Sequence, residues 1–356
     1  MAYASISDLA PLVNQQTFAD AVSQEIKEKS KFIRAGVAAS DPVIAAKCAR
    51  MTGKTVELPF FNALGGSDVL DEEVMEEGQE PVIDKIDMGT DEAVKTIRIK
   101  AWGATDLSGI LSAADPLAII RANIAEWKIR ASERKLFATL DGIFGLTAMS
   151  GLVLDLTKNT TEADQFLGKH TFGRAAQLLG ERKLDLSCIV CHSEVEQYLQ
   201  ELDTDQRLFV PSQVGATLPS YGGRQLITDD QCKVNQSKTV KVGTTDTPVT
   251  DVAEIYLFGK GAIAYNECPG PKAFEAGRDI LKSQDFVVTR SSDIMHVRGV
   301  KWVGTSFAAA TYGGSGANKD KHPLTPRNVD LSTAANWSKV YPIEYIRCVK
   351  VIARIG

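Results

Sequence analysis

The sequence predicts an α+β protein. Two extended segments bracket an acidic stretch, one long amphipathic helix follows, and short helices then alternate with short strands toward the C-terminus. An acidic stretch that can bury little apolar surface is held in place only by something outside it. This order of segments favours a chain that reaches outward to copies of itself over one that encloses a substrate.

The composition is that of an ordinary globular protein. The 356 residues fit two or three subdomains, with 44% hydrophobic and 24% charged residues. A net charge of -5 argues against a sequence-independent nucleic-acid binder, which carries a basic face. Because the sequence shows no leader pattern and no apolar run of about 18 residues, we expect a soluble protein that is not secreted. In that setting we expect the six cysteines to be reduced thiols.

The N-terminal region has the pattern of an arm. Apolar residues recur at helical spacing within 17–34, and Asp41-Pro42 ends that pattern. Such an arm has no core of its own, so it is stable only against a neighbouring subunit. The candidate contact residues in this arm are Phe18, Val22 and Ile26.

An acidic excursion separates two strand-like segments. Residues 52–61 alternate β-branched and aromatic with polar side chains until Pro59 breaks the ladder, and residues 93–101 alternate again. Between 68 and 92, eleven acids face the single base Lys85. The candidates for subunit contact are Glu72, Glu73, Glu76, Glu77 and Lys85. A solvated acidic loop is the alternative, and the spacing of a calcium-binding loop is absent.

A long helix follows the excursion. Asp115 suits the N-cap and Pro116 the first helical position. The apolar stripe expected to pack comprises Leu117, Ile120, Ile124 and Trp127. From Pro116 to about Leu140 the helix would span about 37 Å at 1.5 Å per residue. It is long enough to brace a domain from end to end.

The remaining chain mixes helices and strands. Helices are predicted at 171–181 and 193–202, and strands at 184–190, 224–228, 254–258, 285–289 and 296–303. Alternation of the two indicates a mixed α/β layer.

One short motif suggests cofactor chemistry. Cys188, Cys191 and His192 have the spacing of a covalent c-type haem site, and zinc binding is a second interpretation. Haem attachment requires an oxidising compartment, and zinc would need further ligands that no second close pair supplies. We therefore favour buried cysteines in a core strand followed by a helix-capping segment. No nucleophile elbow or triad spacing occurs, so we expect no catalytic residue, cofactor or metal.

Several sequence blocks follow one another in the order of a known family. They are 53–60, the acidic excursion, 101–111 leading into the long helix, 189–193, 221–230, 256–263 and 296–302. In these blocks the chain resembles the major capsid proteins of tailed double-stranded-DNA phages, which have the Hong Kong 97-like coat fold. The resemblance extends over nearly the whole chain.

The resemblance implies a division into segments. Residues 1–50 would be an N-terminal arm, 51–102 an extended β-hairpin loop, and 103–145 a peripheral domain with the long spine helix. Residues 146–265 would form an axial α/β domain and 266–310 a sheet that returns to the periphery. Residues 311–356 would be a C-terminal segment belonging to the axial domain.

The resemblance also implies a function and partners. The chain would be a non-enzymatic major capsid protein whose hexamers and pentamers form an icosahedral shell around a phage double-stranded DNA genome. It would assemble in the host cytoplasm and reside in the virion. Its partners would be copies of itself, a portal, packaged DNA without sequence-specific contact and no membrane. Because the chain starts almost at the arm, we also expect a separate scaffolding protein.

Three alternatives remain from the sequence. A cellular nanocompartment shell has the same fold and loads an enzyme instead of a genome. A haem or zinc redox protein would use Cys188, Cys191 and His192. A phage tail-tube protein would be richer in strands and would lack the spine helix.

Overall fold

The computed structural model describes residues 30–49, 54–61, 88–106, 116–202, 208–209, 219–268, 274–305 and 325–356, with the backbone alone for 49, 116–122 and 208–209. Within these ranges the helices are α1 (Lys31–Arg34), α2 (Pro42–Ala49), α3 (Pro116–Phe144), α4 (Thr171–Gln177), α5 (Ser193–Leu202) and α6 (Asn328–Leu331). The strands are β1 (Ala38–Ala39), β2 (Thr55–Phe61), β3 (Met88–Thr105), β4 (Val153–Asp155), β5 (Leu186–Cys191), β6 (Leu208–Phe209), β7 (Ser220–Tyr221), β8 (Arg224–Thr228), β9 (Gln236–Val242), β10 (Thr245–Gly259), β11 (Ile263–Glu267), β12 (Phe274–Asp279), β13 (Gln284–Val297), β14 (Val300–Trp302), β15 (Trp337–Lys339) and β16 (Cys348–Arg354).

The first sheet, which we call the hairpin sheet, has the strand order β1-β11-β13-β3-β2, and β12 also pairs with β13. Its longest strand, β3, changes partner along its length. Residues 88–94 pair with β2, and residues 95–105 pair with β13. One continuous strand therefore joins a two-stranded hairpin stem to the body of the sheet.

Pro59 does not end its strand, contrary to the prediction. β2 continues to Phe61, and Pro59 lies opposite Thr90 of β3. Among the described strands, β2 lies at the edge of the sheet. Because an edge strand has one side without a ladder partner, a residue without an N–H is tolerated there.

The second sheet, the core sheet, has the order β4-β16-β10-β5-β8-β7-β6, and β9 pairs with β10. The middle of this sheet is apolar on both faces. Cys188, Ile189 and Val190 of β5 are fully buried, as are Ile255 and Leu257 of β10. Such continuous apolar runs are typical of strands covered on both sides. Helices α4 and α5 contribute buried side chains to the same core.

Helix α3 confirms the predicted spine helix and extends it to Phe144, about 43 Å for its 29 residues. Its first described turns bury Ile124, Ala125 and Ile129 in a small core with Phe274 and Val287 of the hairpin sheet. The later turns belong to the main core, through Leu136, Phe137, Leu140 and Ile143. One rigid helix therefore packs against two separate apolar cores.

Glycine is required near the end of α3. A Cβ at Gly142 would lie 2.1 Å from the carbonyl oxygen of Leu331 and 2.7 Å from the indole nitrogen of Trp337. That indole donates to the Leu331 carbonyl at 2.8 Å. The absence of a side chain at Gly142 thus lets the C-terminal segment approach the helix backbone.

Three sequence predictions need correction. The strand predicted at 296–303 is the end of β13 followed by the whole of β14, because the chain turns at Gly299, which has a positive φ of 92°. The helix predicted at 171–181 ends at Gln177 and gives way to a 3-10 turn at Gly180–Asp185. Cys48 and Cys268 form a disulfide, so the expectation of six free thiols is wrong. Because these two cysteines are 220 residues apart, no local sequence pattern indicated that they pair.

Within the described part of the chain, no helix has both the length and the apolar character to span a bilayer.

Candidate subunit-contact surfaces

All eight subunit-contact residues predicted from the sequence lie outside the described residues: Phe18, Val22, Ile26, Glu72, Glu73, Glu76, Glu77 and Lys85. Leu117 and Ile120 lie in α3 where only the backbone is described. Ile124 is 2% exposed, whereas Trp127 is 38% exposed. The structure therefore describes the segments on either side of the predicted contact residues, and the surfaces of those segments are considered next.

The hairpin stem, formed by β2 and residues 88–94 of β3, is attached to the sheet by a buried hydrogen-bonded contact. The Asp91 carboxylate lies 2.8 Å from Nε2 of His296 and accepts the Gly299 N–H at 3.0 Å, and both ionisable side chains are 1% exposed. Burial alone would raise the pKa of Asp91. The hydrogen bond and charge of His296 and the Gly299 N–H outweigh that effect and hold the pKa below its ordinary value. The Asp91 carboxylate, through its contacts with His296 and the Gly299 N–H, therefore holds the stem at a fixed angle to the sheet.

The stem also has its own apolar support. Val56 and Ala93 of the stem pack with Ile44, Ala264 and Ile294 in a small buried cluster. Its far end, in contrast, presents apolar side chains to solvent. Phe61 is 72% exposed and its register partner Met88 is 66% exposed. Exposed apolar residues on a rigid projection are typical of a surface that another chain covers.

A second buried ion pair joins α3 to the hairpin sheet. The Lys135 ammonium contacts the Asp293 carboxylate, and their side chains are 8% and 5% exposed. The Thr96 hydroxyl donates to the same carboxylate at 2.6 Å. Asp293 thus connects α3, β3 and β13. The sequence gave no signal for this contact, because its partners are 158 residues apart.

The turn between β12 and β13 is an exposed apolar tip. Ile280 is 81% exposed and Leu281 is 97% exposed. The turn is nevertheless ordered by hydrogen bonds. The Asp279 carboxylate accepts the Leu281 N–H at 3.1 Å, and Arg278 contacts both Asp106 and Asp285. A braced turn that exposes two large aliphatic side chains is a second candidate contact surface.

An acidic cluster lies where α3 meets the loop after β8. Burial, followed by the nearby charge of Asp229, raises the pKa of Glu133 to about 7. Burial also raises the pKa of Asp229, whose Oδ2 has no hydrogen-bond partner among the described residues. The amide of Gln231 donates to Glu133 at 3.3 Å. Burial at this junction therefore favours the protonated form of both carboxyl groups and raises the pKa of Glu133 to about 7.

The cysteine motif occupies the core position that the strand pattern predicted. Cys188 and Cys191 are fully buried in β5, and burial raises the pKa of both thiols. His192 caps α5, since its Nδ1 accepts the Glu194 N–H at 3.1 Å. Among the described residues, no three His, Cys, Asp or Glu side chains are grouped to hold a metal ion. The core-strand interpretation of this motif is confirmed.

These features define a class of protein: a subunit with a projecting stem, a bracing helix and exposed apolar surfaces, built to pack against other chains. Comparison with known proteins identifies the family. The chain is 31% identical over 361 residues to the major capsid protein of Bacillus phage SPP1, covering 100% of this chain and 99% of that relative. The chain belongs to the phage major capsid protein family.

The fold agrees with this assignment. The structure resembles the capsid of Ralstonia phage GP4 with a TM-score of 0.50 at 13% identity, over 70% of this chain and 80% of that one. No protein-family model matches the chain. The α+β class and the Hong Kong 97-like fold predicted from the sequence are confirmed. Like its relatives, the chain is a structural component of a capsid.

Proposed function

We propose that this chain assembles, through hexamers and pentamers, into a closed icosahedral shell that encloses a double-stranded DNA genome. The observation that carries the proposal is the match to a major capsid protein over the full length of both chains. The architecture supports it physically. A braced stem and tip expose apolar side chains that a monomer leaves in water, and many modest contacts of this kind add up across a symmetric shell.

The proposal also assigns each segment of the chain to one structural unit of the capsid subunit. Residues 1–50 are the arm, 51–102 the extended loop, 103–145 the peripheral domain with α3, 146–265 the axial domain, 266–310 the returning sheet and 311–356 a C-terminal axial segment. The core sheet supports an axial unit, because β5, β8 and β10 pair within it. The hairpin sheet supports a peripheral unit, because the stem and α3 pack on it.

We also assign contact roles to the sequence-predicted residues. Phe18, Val22 and Ile26 contact a neighbour from the arm, and Leu117, Ile120, Ile124 and Trp127 pack the spine helix. The acidic loop contacts a neighbour through Glu72, Glu73, Glu76, Glu77 and Lys85. Replacing the four glutamates with glutamine should leave the monomer folded and alter the salt dependence of assembly. A salt response identical to that of the wild type would exclude an electrostatic role for them.

The partners and location follow from the same proposal. A separate scaffolding protein guides assembly in the host cytoplasm, a portal occupies one vertex, and packaged DNA makes no sequence-specific contact. The net charge of -5 supports the last point, because a strongly basic lining would hold DNA and hinder its release. The chain itself performs no enzymatic step.

Electron microscopy of the expressed full chain, alone and with a candidate scaffolding protein, tests the proposal. We expect closed shells of uniform diameter. Nuclease-protected DNA in particles from infected cells supports the genome container, whereas a protein cargo without DNA would indicate a nanocompartment. Monomers under every condition would refute the shell.

A further inference from the structure

The Cys48–Cys268 disulfide joins the N-terminal region to the hairpin sheet beside the stem. Cys48 lies near the end of α2, and Cys268 directly follows β11. Their Cα atoms are 4.9 Å apart, and a separation of this size permits a bridge without movement of the backbone. The chain leaves α2 at Ala49 and enters β2, the first strand of the stem, at Thr55. The bond therefore holds the chain close to the point where it enters the stem.

The two ends of α2 are attached to the sheet in different ways. At its start, the Asn266 side chain donates to the Asp41 carbonyl at 2.7 Å and accepts the Asp41 N–H at 3.0 Å, and Arg298 contacts the Asp41 carboxylate at 3.0 Å. Near its end, the Lys47 ammonium donates to the Glu57 carbonyl at a solvent-exposed position. Because an exposed hydrogen bond contributes little net stability, the disulfide and the apolar packing around it hold this end of α2.

The two cysteines belong to the small apolar cluster that supports the stem. Cys48 is 3% exposed and Cys268 is 6% exposed, and Ile44, Val56 and Ile294 are buried with them. A protonated cysteine packs as a small apolar side chain. The bridged pair and the two thiols differ only by two hydrogen atoms, so the same cluster accommodates both states. The bond can therefore form in a subunit that is already folded.

Burial controls how fast the bond forms and breaks. A reagent reaches a buried sulfur only when the surrounding structure opens locally. Here such an opening separates the end of α2 from the hairpin sheet, because Cys48 and Cys268 lie on these two elements. Oxidation in the folded subunit is therefore slower than at an exposed thiol. For the same reason, the completed bond is protected from reducing agents.

The other four cysteines are free and belong to the main apolar core: Cys188, Cys191, Cys232 and Cys348. Burial raises the pKa of all four thiols, so the reactive thiolate form is scarce. Oxidation therefore selects the pair beside the stem.

We propose that Cys48 and Cys268 form a redox-controlled attachment of α2 to the hairpin sheet. The pair is two thiols while the subunit assembles, and it becomes a disulfide after the particle meets an oxidising medium. This inference rests on the proposed shell function, because the cytoplasm in which the shell assembles keeps thiols reduced. It adds a covalent modification that follows assembly and stiffens the base of the stem. The structure shows the oxidised state.

The bond forms by thiol–disulfide exchange with a low-molecular-weight disulfide such as oxidised glutathione. The thiolate of one cysteine attacks a glutathione sulfur, which gives a mixed disulfide and releases one glutathione thiolate. The thiolate of the other cysteine then attacks the protein sulfur of the mixed disulfide and releases the second glutathione. The protein loses two electrons and two protons. Oxidised glutathione takes up both and becomes two molecules of thiol.

Trapping of thiols at two times tests the order of events. Free thiols are alkylated with N-ethylmaleimide in intact cells that contain the shells, and in a second sample after the shells have been released and treated with oxidised glutathione. We expect Cys48 and Cys268 to be alkylated in the cells and bridged within one subunit after release, as judged by peptide mass spectrometry and non-reducing gels. A bridge already present in the cells would overturn the inference, as would a bridge between subunits. Failure to form shells would refute the proposed function, whereas released shells whose pair remains alkylated would refute this attachment alone.

Hydrogen exchange of the purified full chain tests the mechanical effect without assembly. Oxidation of the wild type should slow exchange in peptides that cover α2 and β2 by more than about tenfold, and leave β16 of the core sheet unchanged. The comparison needs no substitution, so it does not depend on the folding of a variant. Cys48→Ala with Cys268→Ala should abolish the response to oxidation, and the matched control Cys232→Ala, at a free cysteine, should retain it. Equal exchange of α2 and β2 in the two redox states of the wild type would overturn the inference.

Discussion

The buried ion pair between Lys135 and Asp293 allows a quantitative test of how α3 is attached to the hairpin sheet. Lys135→Met keeps the length and most of the volume of the side chain, so the loss of packing is small. The variant leaves the Asp293 carboxylate, which is 5% exposed, without its cation. Loss of one partner of a buried pair costs about 3–5 kcal/mol. We expect a cost near 3 kcal/mol, the lower end of this range, for two reasons. The Thr96 hydroxyl still donates to the Asp293 carboxylate at 2.6 Å, and the ammonium of Lys128 still interacts electrostatically with that carboxylate.

The double variant separates charge from packing. Lys135→Met with Asp293→Asn removes both charges and leaves an amide oxygen that accepts from Thr96. It should recover about 1–2 kcal/mol of the loss, because no uncompensated buried charge remains. The matched control is Arg130→Met on the same helix. Its pair with Glu126 is 70% and 57% exposed, so its loss should cost less than about 1 kcal/mol.

Urea unfolding followed by circular dichroism measures these differences, at concentrations where size-exclusion chromatography shows no assembly. The midpoint should fall most for Lys135→Met, less for the double variant and least for Arg130→Met. Equal shifts for Lys135→Met and Arg130→Met would refute the view that burial makes this pair important. A double variant less stable than Lys135→Met would show that packing, and not charge, dominates.

Three further predictions follow from single residues. The raised pKa of Glu133, about 7, means that protonation favours the folded state. That stabilisation is complete below the ordinary value of 4.5 and is lost as the pH rises from 4.5 through about 7. Glu133→Gln should therefore flatten the change in urea midpoint between about pH 4.5 and pH 7, and an unchanged slope would contradict the pKa assignment. Leu281→Ser should change unfolding stability by less than about 0.5 kcal/mol because the side chain is 97% exposed. It should nevertheless reduce shell yield in micrographs more than Leu184→Ser, a control at an 84% exposed leucine, and equal yields would exclude the tip as a contact. Gly142→Ala should cost about 1–3 kcal/mol in urea unfolding, because its Cβ would collide with the Leu331 carbonyl, and a neutral result would contradict that close approach.

Local patterns predicted local elements well. Helix α5 occupies the predicted residues 193–202, because His192 caps its start and Val195 and Leu199 recur at a four-residue step on its buried side. The start of α3 was likewise predicted at Pro116, and β8 has its predicted limits. In each case the signal lies within one turn or one strand of the element that it specifies.

Contacts between distant residues could not be predicted in the same way. Asp91 and His296 are 205 residues apart, and neither has a local pattern that identifies the other. The Cys48–Cys268 disulfide was missed for the same reason, and Pro59 was misjudged because edge position is a property of the sheet. The seven lysine and arginine side chains around the groove between α3, β3 and β13 were not predicted to lie together, because they come from three distant segments, whereas the acids of residues 68–92 stood out as one continuous run.

Strand β3 joins the hairpin stem to the body of the hairpin sheet, because its residues 88–94 pair with β2 and its residues 95–105 pair with β13. In the proposed shell the stem is a contact surface, and the angle between neighbouring copies decides whether a ring closes. That angle depends on how firmly the stem is fixed to β13, which is the role of Asp91 between His296 and the Gly299 N–H.

Loosening this attachment should therefore change shell geometry before it abolishes folding. Asp91→Asn keeps the shape of the side chain and an acceptor for Gly299 but removes the charge that faces His296. We expect shells with a broader distribution of diameters in electron micrographs, while circular dichroism at neutral pH remains that of a folded chain. Glu92→Gln, at the adjacent and more exposed position, should leave the diameters unchanged. If Asp91→Asn shells are as uniform as those of the wild type, the buried contact does not set the angle between subunits.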